Sequence, residues 1–264
     1  MTMNRYRIFV LPALGVAPGY YTLLEQALEQ LPAQVSVIAP ESPQRWRQRL
    51  LGQVQVGYGD MVERIVAAVR ASRAQDPQRP VVLLGHSLGG HFALAAAARL
   101  GSALHGVVLV ASGTPHWGAW PAGEQARLRR GIGTIGVVNA LLPWYPGTWL
   151  GFGGHQSRRL MHDWGVLART GRLASVNGLQ ADAAAFATLT TPVLSLRVEG
   201  DHLAPPAATD HLLAEFPQLE HQARTLSATL LPGVPRLRRH FAWCRHPASV
   251  MPDLRHWLQS LKTE

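Results

Sequence analysis

Residues 81–90 read Val-Val-Leu-Leu-Gly-His-Ser-Leu-Gly-Gly. The first four residues form an apolar run entered after Pro80, which predicts a buried β-strand. The run ends in Gly85-x-Ser87-x-Gly89, and an alanine-rich helical pattern follows. A strand, a tight turn and a helix in this order are typical of a nucleophile elbow, in which a serine hydroxyl stands above the edge of a parallel sheet.

The residue types around Ser87 have a physical reason. Side chains two residues to either side of the serine would collide in such a turn, so glycine is expected there. The helix that follows turns its N-terminus toward the hydroxyl, and this positive end favours developing negative charge. An ordinary serine in a glycine-rich turn would give the same pattern, and that alternative stays open.

Strand and helix patterns alternate on both sides of the elbow. Strands are predicted at residues 6–11, 35–38, 81–84, 106–111, 192–198 and 221–227. Helices are predicted at residues 18–31, 60–70, 88–99, 207–216 and 247–261, the last with a kink or restart at Pro252. This alternation predicts an α/β fold, with a mostly parallel sheet and helices on both faces.

The alternation stops after residue 111. Residues 112–190 hold five of the eight tryptophans and no strand pattern, so we interpret them as an inserted helical cap. Residues 1–111 and 191–264 then form the sheet domain. Within the insertion, residues 131–157 contain no Asp, Glu, Lys or Arg. Their two prolines and seven glycines argue against a membrane-spanning helix and favour a buried or lipid-facing lid.

Composition narrows the class of protein. The 264 residues are 47% hydrophobic and 16% charged, which predicts a well-filled core. The formal net charge of +9 comes almost entirely from arginines on no recognisable nucleic-acid-binding module, so we expect surface charge and no nucleic-acid partner. Cys244 is the only cysteine, and no signal-peptide pattern is seen, so we expect a cytoplasmic protein. The sequence leaves the oligomeric state open.

A nucleophilic Ser87 needs a base and an acid, expected in the chain order Ser, acid, His. Asp201 follows the strand predicted at residues 192–198 and is the candidate acid, with Glu199 as its competitor. A turn-forming or helix-capping role for Asp201 is the alternative. His240 follows the last predicted strand and is the candidate base, with His246 second.

The oxyanion of an acyl-transfer intermediate needs backbone donors. We assign the N–H of Leu88, directly after the nucleophile, and the N–H of Leu14, in the loop after the first strand. That loop could equally be a plain strand-to-helix connection. A substrate pocket is expected around His86, Trp117, Trp144 and Trp149. No metal site is predicted.

Together these residues resemble the α/β-hydrolase superfamily, and within it the esterase, monoacylglycerol-lipase and serine-aminopeptidase-like branch. The elbow is the specific motif, and the likeness is softer at residues 12–15 with Tyr20-Tyr21, at residues 152–155 and at residues 240–243. Two segments depart from that pattern. Pro12-Ala13 stands where many relatives have His-Gly, and residues 40–43 replace an Asp-x-x-Gly-x-Gly-x-Ser segment.

The resemblance implies the α/β-hydrolase fold and a serine hydrolase that works through an acyl-enzyme on Ser87 without a cofactor. The implied substrate is an ester, thioester or amide of a small hydrophobic acyl group. An acyltransferase with the same triad, a peptidase and a non-catalytic ligand-binding member are the alternatives. The arginine-flanked aromatics of the insertion fit either an apolar roof packed on the sheet domain or a weak contact with a membrane surface.

Overall fold

The computed structural model describes residues 6–261, apart from the side chain of Ala181. Residues 1–5, on which the signal-peptide expectation partly rests, lie outside this range. Six strands within it form one parallel sheet in the order β2-β1-β3-β4-β7-β8, and two more form a separate antiparallel pair. The strands are β1 (Tyr6–Leu11), β2 (Ala33–Val37), β3 (Val81–His86), β4 (Gly106–Val110), β5 (Trp144–Pro146), β6 (His155–Ser157), β7 (Val193–Val198) and β8 (His221–Leu226).

Helices connect and cover the strands. The α-helices are α1 (Thr22–Glu29), α2 (Trp46–Leu50), α3 (Tyr58–Gln75), α4 (Leu88–Leu100), α5 (Ala122–Leu141), α6 (Gly147–Leu150), α7 (Arg158–Thr170), α8 (Ala183–Thr188), α9 (Pro206–Leu213), α10 (Arg239–Ala242) and α11 (Met251–Ser260). Short 3-10 helices lie at Pro18–Tyr21, Gly101–Ala103, Trp117–Ala119, Leu173–Ser175, Gln180–Asp182, Ala228–Leu230, Arg236–Arg238, Trp243–Arg245 and Pro247–Ser249. The last predicted helix restarts at Met251, next to Pro252.

The sheet separates two apolar cores. Alternate residues of β1 face opposite sides, so that Phe9 and Leu11 pack with α3, α4 and α7, whereas Ile8 and Val10 pack with α1 and α11. This is the period-two alternation that a strand imposes on its side chains. The predicted fold class, a parallel sheet with helices on both faces, is therefore confirmed.

The expectation that residues 112–190 contain no strand is wrong. β5 and β6 pair antiparallel, with Trp144 opposite Ser157 and Pro146 opposite His155. Strands of three residues are too short to show an alternating pattern, and Pro146 within β5 argues further against a strand. The rest of the insertion is helical, and none of it joins the six-stranded sheet.

Polar contacts that no sequence pattern predicts join the insertion to the start of α3 in the sheet domain. The buried Asp163 of α7 accepts a hydrogen bond at 2.9 Å from the backbone N–H of Tyr58, the first residue of α3. Ser157 donates its hydroxyl to the Val56 carbonyl just before that helix. An exposed ion pair joins Arg159 to Asp60. Within residues 6–261, no helix combines the length and the apolar character needed to cross a membrane.

Candidate active site

Ser87 occupies a strained turn at the carboxyl end of β3. Its φ of 52° and ψ of −113° lie in a region that residues other than glycine seldom adopt. The turn is held from the neighbouring strand, because Ser87 N–H donates to the Val110 carbonyl at 3.0 Å. The hydroxyl of Ser112 donates to the Ser87 carbonyl at 2.6 Å. Strain fixed in this way is typical of a functional position.

The glycines of the elbow are required by close packing. A Cβ on Gly89 would lie 1.9 Å from the carbonyl oxygen of Leu11, and a Cβ on Gly85 would lie 2.5 Å from the carbonyl carbon of Gly89. Any side chain at either position would force the turn open. The glycine spacing therefore follows from the approach of α4 to the ends of β1 and β3.

Asp201 and His240 meet in a buried pair. Asp201 follows β7, His240 lies in α10 after β8, and His240 Nδ1 is 2.7 Å from Asp201 Oδ2. The other carboxylate oxygen accepts hydrogen bonds from the N–H groups of Leu203 at 2.7 Å and Ala204 at 3.2 Å. Since a carboxylate accepts, His240 donates from Nδ1, and in the neutral form of a ring with its proton there Nε2 is the acceptor.

The competing candidates lie elsewhere. The exposed carboxylate of Glu199 accepts hydrogen bonds from the Ala228 N–H at 2.7 Å and from the Ser227 hydroxyl at 3.2 Å. The hydrogen bond from Ala228, more than any other contact, lowers the pKa of Glu199. In the described part of the chain, His246 has no carboxylate within ion-pair distance. The acid–base pair in the structure is therefore Asp201 with His240, and neither Glu199 nor His246 takes part in it.

The Ser87 hydroxyl makes no hydrogen bond to any residue from 6 to 261. His240 nevertheless lies beside the elbow, because its ring centre is 5.3 Å from that of His86, the residue before Ser87. Catalytic hydrogen bonds are often long or poorly aligned until substrate binds. The structure therefore brings His240 to the elbow without forming the serine–histidine hydrogen bond.

A buried chain of hydrogen bonds runs behind these residues. Ala13 N–H donates to the Tyr21 hydroxyl at 2.9 Å, and this hydroxyl lies 2.8 Å from His86 Nδ1. His86 Nε2 lies 2.9 Å from the carbonyl oxygen of His240. A carbonyl only accepts, so His86 carries its proton on Nε2, and the Tyr21 hydroxyl donates to Nδ1.

Burial sets the protonation of the two side chains in this hydrogen-bonded chain. Burial, with a smaller effect of the neighbouring His240, lowers the pKa of His86 well below its usual value. Burial likewise raises the pKa of Tyr21 far above its usual value. Both side chains therefore stay neutral at physiological pH. Each polar atom in the hydrogen-bonded chain is then either a donor or an acceptor in one fixed direction. Sequence reasoning had not singled out Tyr21 as a site residue.

The expectation that His86 lines the substrate pocket does not fit its position. The side chain is fully buried, with Tyr21 and the His240 carbonyl on its two nitrogens and Trp243 packed edge-on at 5.0 Å. The residue before the nucleophile points behind the elbow because Ser87 and its neighbour face opposite ways at the end of a strand.

The two proposed oxyanion donors lie at the same edge of the sheet. Leu88 is the first residue of α4, so its N–H has no carbonyl one turn earlier in the helix. The N–H of Leu14 finds no acceptor among residues 6–261. Leu14 directly follows Ala13, the amide at the start of the buried chain. Both N–H groups are therefore left unpaired.

The loop that carries Leu14 is covered by the insertion. A Cβ on Gly15, whose φ is +75°, would lie 2.4 Å from the carbonyl group of Gly153. A Cβ on Gly153 would in turn lie 2.9 Å from Leu14 Cδ2. Backbone thus packs directly on backbone here, which is why glycine stands on both sides of the contact.

The three tryptophans expected around the substrate are placed differently from one another. Trp144 is buried, and Trp149 packs edge-on against it at 5.2 Å with most of its own ring in solvent. Trp117 is half-buried, with the Arg129 guanidinium 4.8 Å above its ring. None of them has a ring contact with His240 in the described structure.

Two surface cavities lie away from this site. One is bordered by Arg7 and Arg79, and the other by His105 and Thr190, at the amino-terminal edge of the sheet. Neither includes Ser87, Asp201 or His240. Among residues 6–261 there is also no group of three or more side chains arranged to hold a metal ion.

Comparison with known proteins places these observations in a family. The model of the alpha/beta hydrolase family matches residues 8–259. No match is found among curated proteins. Solved structures with a similar fold include one reported for LipS and LipT, two metagenome-derived lipolytic enzymes (11% identity, 97% of this chain and 94% of that chain covered, TM-score 0.61).

Two further structures are similar over nearly their whole length. A lipase-esterase related protein from Clostridium acetobutylicum is 12% identical, with 97% of this chain and 96% of that chain covered and a TM-score of 0.58. YbtT, a type II thioesterase of the yersiniabactin pathway, is 16% identical, with 98% and 95% covered and a TM-score of 0.54. At these identities the likeness concerns the fold.

Proposed function

Since the chain belongs to the alpha/beta hydrolase family, we propose that it is a serine hydrolase acting through an acyl-enzyme on Ser87. The observation that carries the proposal is the buried Asp201–His240 pair beside a serine in a strained elbow. We propose an ester, or a thioester or amide, of a hydrophobic acyl group as the substrate, and a cytoplasmic site of action.

In this mechanism the Ser87 hydroxyl attacks the acyl carbonyl while His240 Nε2 takes its proton. Asp201 holds the ring in the tautomer that has its proton on Nδ1, and stabilises the imidazolium that forms. The proton then passes from His240 to the leaving group. A water molecule, deprotonated by the same histidine, attacks the acyl-enzyme and releases the acid.

Negative charge on the tetrahedral intermediate would be met by the N–H groups of Leu14 and Leu88. The loss of one such donor typically lowers kcat by about 10²–10³. The N-terminus of α4 adds to this stabilisation, because Leu88 is its first residue. No step of this scheme calls on a group from outside the chain except water.

Two features support a hydrophobic acyl group. Aromatic residues are concentrated in the insertion that covers the Leu14 loop. Two of the structural relatives are named as lipolytic enzymes and as a thioesterase, and we carry that class of substrate over as part of the proposal.

The test is hydrolysis of p-nitrophenyl esters of increasing chain length, together with an acyl thioester. We expect burst kinetics with the wild type and loss of activity in Ser87→Ala. Ser249→Ala is the matched control, because Ser249 is a buried serine whose hydroxyl has no partner in the part of the chain that the structure describes. Products are also collected with an added alcohol. A new ester in place of the free acid would assign acyl transfer, and absence of turnover by folded wild type on every substrate would contradict the proposal.

A further inference from the structure

Large apolar side chains are exposed mainly on one part of the surface. Six of the ten exposed large hydrophobic residues within the described chain lie in residues 46–51 and 141–150. They are Trp46, Leu50, Leu51, Leu141, Trp149 and Leu150. Trp46 is 65% exposed and Trp149 is 73% exposed, so neither ring is buried against protein. Concentrated exposure of this kind marks an interaction surface.

The two segments adjoin each other. The Arg49 guanidinium of α2 lies 5.4 Å from the ring centre of Trp144 in β5. A Cβ on Gly52 would lie 3.3 Å from the carbonyl oxygen of Pro143. Trp144 is itself the ring on which Trp149 packs. We call residues 46–51 and 141–150 the α2–hairpin surface.

The charged residues in the two sequence stretches that form and flank this surface have one sign. Residues 42–59 and 125–162 contain no Asp or Glu. Arg45 and Arg47 are exposed, and within the described chain neither has a carboxylate in ion-pair distance. Arg158, also exposed, reaches the Ala140 carbonyl at the end of α5. The surface therefore presents tryptophan and leucine rimmed by uncompensated arginine.

Exposed tryptophan and leucine beside unpaired arginine indicate which kind of partner fits this surface. A two-fold contact between copies of the chain would set these arginines against one another with no carboxylate from either segment to compensate them. Tryptophan favours the headgroup level of a bilayer, and arginine beside it faces anionic headgroups. Short amphipathic segments of this composition bind at the boundary of headgroups and acyl chains.

We propose that the α2–hairpin surface docks the protein on an anionic lipid bilayer. Trp46, Trp149 and the leucines insert at the headgroup boundary, while Arg45 and Arg47 contact phosphates. From the sequence, a lipid contact is expected only through the aromatics of the insertion. The structure instead shows Trp144 buried, and it adds α2, a segment outside the insertion, to the surface.

Docking would also place the proposed active site next to lipid. The hairpin that presents Trp149 continues into Gly153, which packs on the Leu14 loop. An acyl substrate drawn from the bilayer would thus arrive beside the proposed oxyanion donors. This consequence rests on the proposed function, whereas the docking itself does not.

The test is flotation of full-length Ser87→Ala protein with vesicles of phosphatidylcholine alone or of phosphatidylcholine with phosphatidylglycerol. The inactive protein keeps the lipid intact, so the result is independent of catalysis. We expect binding to the anionic vesicles that weakens at high salt. Trp149→Ser should weaken it about tenfold or more, and Arg47→Gln about fivefold.

Matched controls come from outside the α2–hairpin surface. Leu237→Ser removes an equally exposed leucine, and Arg224→Gln removes an exposed arginine of the edge strand β8. Both should float as the parent protein does, with folding checked by circular dichroism. The proposal is overturned by absence of flotation, by equal losses in the controls, or by light scattering that shows a dimer broken by Trp149→Ser.

Discussion

Tyr21 and His86 connect the three loops that carry the proposed catalytic groups. Through them the amide beside Leu14, the strand end beside Ser87 and the backbone of His240 share one buried chain of hydrogen bonds. Buried polar groups are costly to leave without a partner, so such a chain holds its members in one arrangement. We propose that it positions the groups of the proposed mechanism.

Replacement of Tyr21 by Phe tests this role. The change leaves Ala13 N–H and His86 Nδ1 buried without partners, which should lower the free energy of unfolding by about 1–3 kcal/mol. Loosening of the Leu14 loop should lower kcat by roughly tenfold to a hundredfold, with a smaller change in KM. Ester kinetics and denaturant unfolding measure the two effects.

Tyr145→Phe is the control for that experiment. The Tyr145 hydroxyl is buried and has no hydrogen-bond partner among residues 6–261, so its removal should leave kcat and stability unchanged or raise stability slightly. An equal loss of kcat in Tyr21→Phe and Tyr145→Phe would show that the loss does not depend on the hydrogen bonds of Tyr21. An unchanged kcat in Tyr21→Phe would remove the positioning role.

The acid of the triad is tested by Asp201→Asn with Glu199→Gln beside it. An amide at position 201 favours the wrong tautomer of His240, so kcat should fall by about 10⁴. Glu199 binds Ser227 and Ala228 instead, and its variant should keep wild-type kcat. The opposite ranking of the two variants would assign the acid to Glu199.

Among single residues, the sequence predicts those that belong to a local motif or to a known order of catalytic residues along the chain. The glycine spacing marks Ser87, and the order Ser, acid, His selects Asp201 and His240, which the structure brings together. The Tyr21–His86 bond joins residues 65 positions apart and leaves no local pattern. Since no local pattern shows that His86 binds Tyr21, the sequence places His86 in the substrate pocket, whereas its ring lies buried behind the elbow.

Among the elements, the contact between the β1–α1 loop and the β5–β6 hairpin is the tightest link of the insertion to the site. Glycine backbone from both sides meets there, with no side chain between Gly15 and Gly153. The position of the Leu14 amide thus depends on the hairpin as well as on the loop's own turn.

Gly15→Ala is the variant that tests this dependence. The new methyl group would collide with Gly153, and the φ of +75° disfavours any side chain. Displacement of the Leu14 amide should lower kcat by about 10². Gly101→Ala is matched to it, since Gly101 has a φ of +52° and nothing within 4 Å of its Cβ position.

Ester kinetics and thermal unfolding separate the two effects of that change. Both variants carry the strain of a positive φ, and only Gly15→Ala carries the collision. A larger loss of stability in Gly15→Ala than in Gly101→Ala is expected, with a loss of kcat confined to Gly15→Ala. Wild-type kcat in a folded Gly15→Ala protein would show that the hairpin does not hold the Leu14 loop.

For the whole molecule, buried neutral histidines link stability to pH. Burial lowers the pKa of His91 to about 4 and that of His86 well below its usual value. Between the unfolded value near 6.5 and these folded values, the unfolded chain binds more protons than the native one. Stability is therefore fully present above about pH 6.5 and is lost as the pH falls toward 4.

We expect the free energy of unfolding to fall by up to about 1.4 kcal/mol per pH unit for each such histidine. His91→Gln should remove one contribution and flatten the profile between pH 6.5 and 4, whereas the exposed His256→Gln should not. Burial raises the pKa of Asp163, which acts in the opposite direction, so each variant is compared with the wild type. A profile of His91→Gln parallel to the wild type would contradict this account.

The sheet is the part of the whole molecule that the sequence predicts best. All six predicted strands lie in one parallel sheet. The central strands are the clearest in the sequence, because buried parallel strands leave continuous apolar runs between turn signals. Strand order, the short β5–β6 pair and the approach of α2 to the hairpin depend on contacts between distant residues. The exposed surface shared by α2 and the hairpin was therefore out of reach of the sequence alone.

Labelling with a fluorophosphonate probe, followed by peptide mass mapping, tests whether Ser87 is a nucleophile activated by His240. The wild type is compared with Ser87→Ala, His240→Ala, His246→Ala and the buried-serine control Ser249→Ala. We predict one adduct on Ser87 that is absent from Ser87→Ala and His240→Ala and retained in the other two variants. An unlabelled folded wild type, or an adduct on Ser87 that survives in His240→Ala and disappears in His246→Ala, would contradict the assignment of the reactive serine and its base.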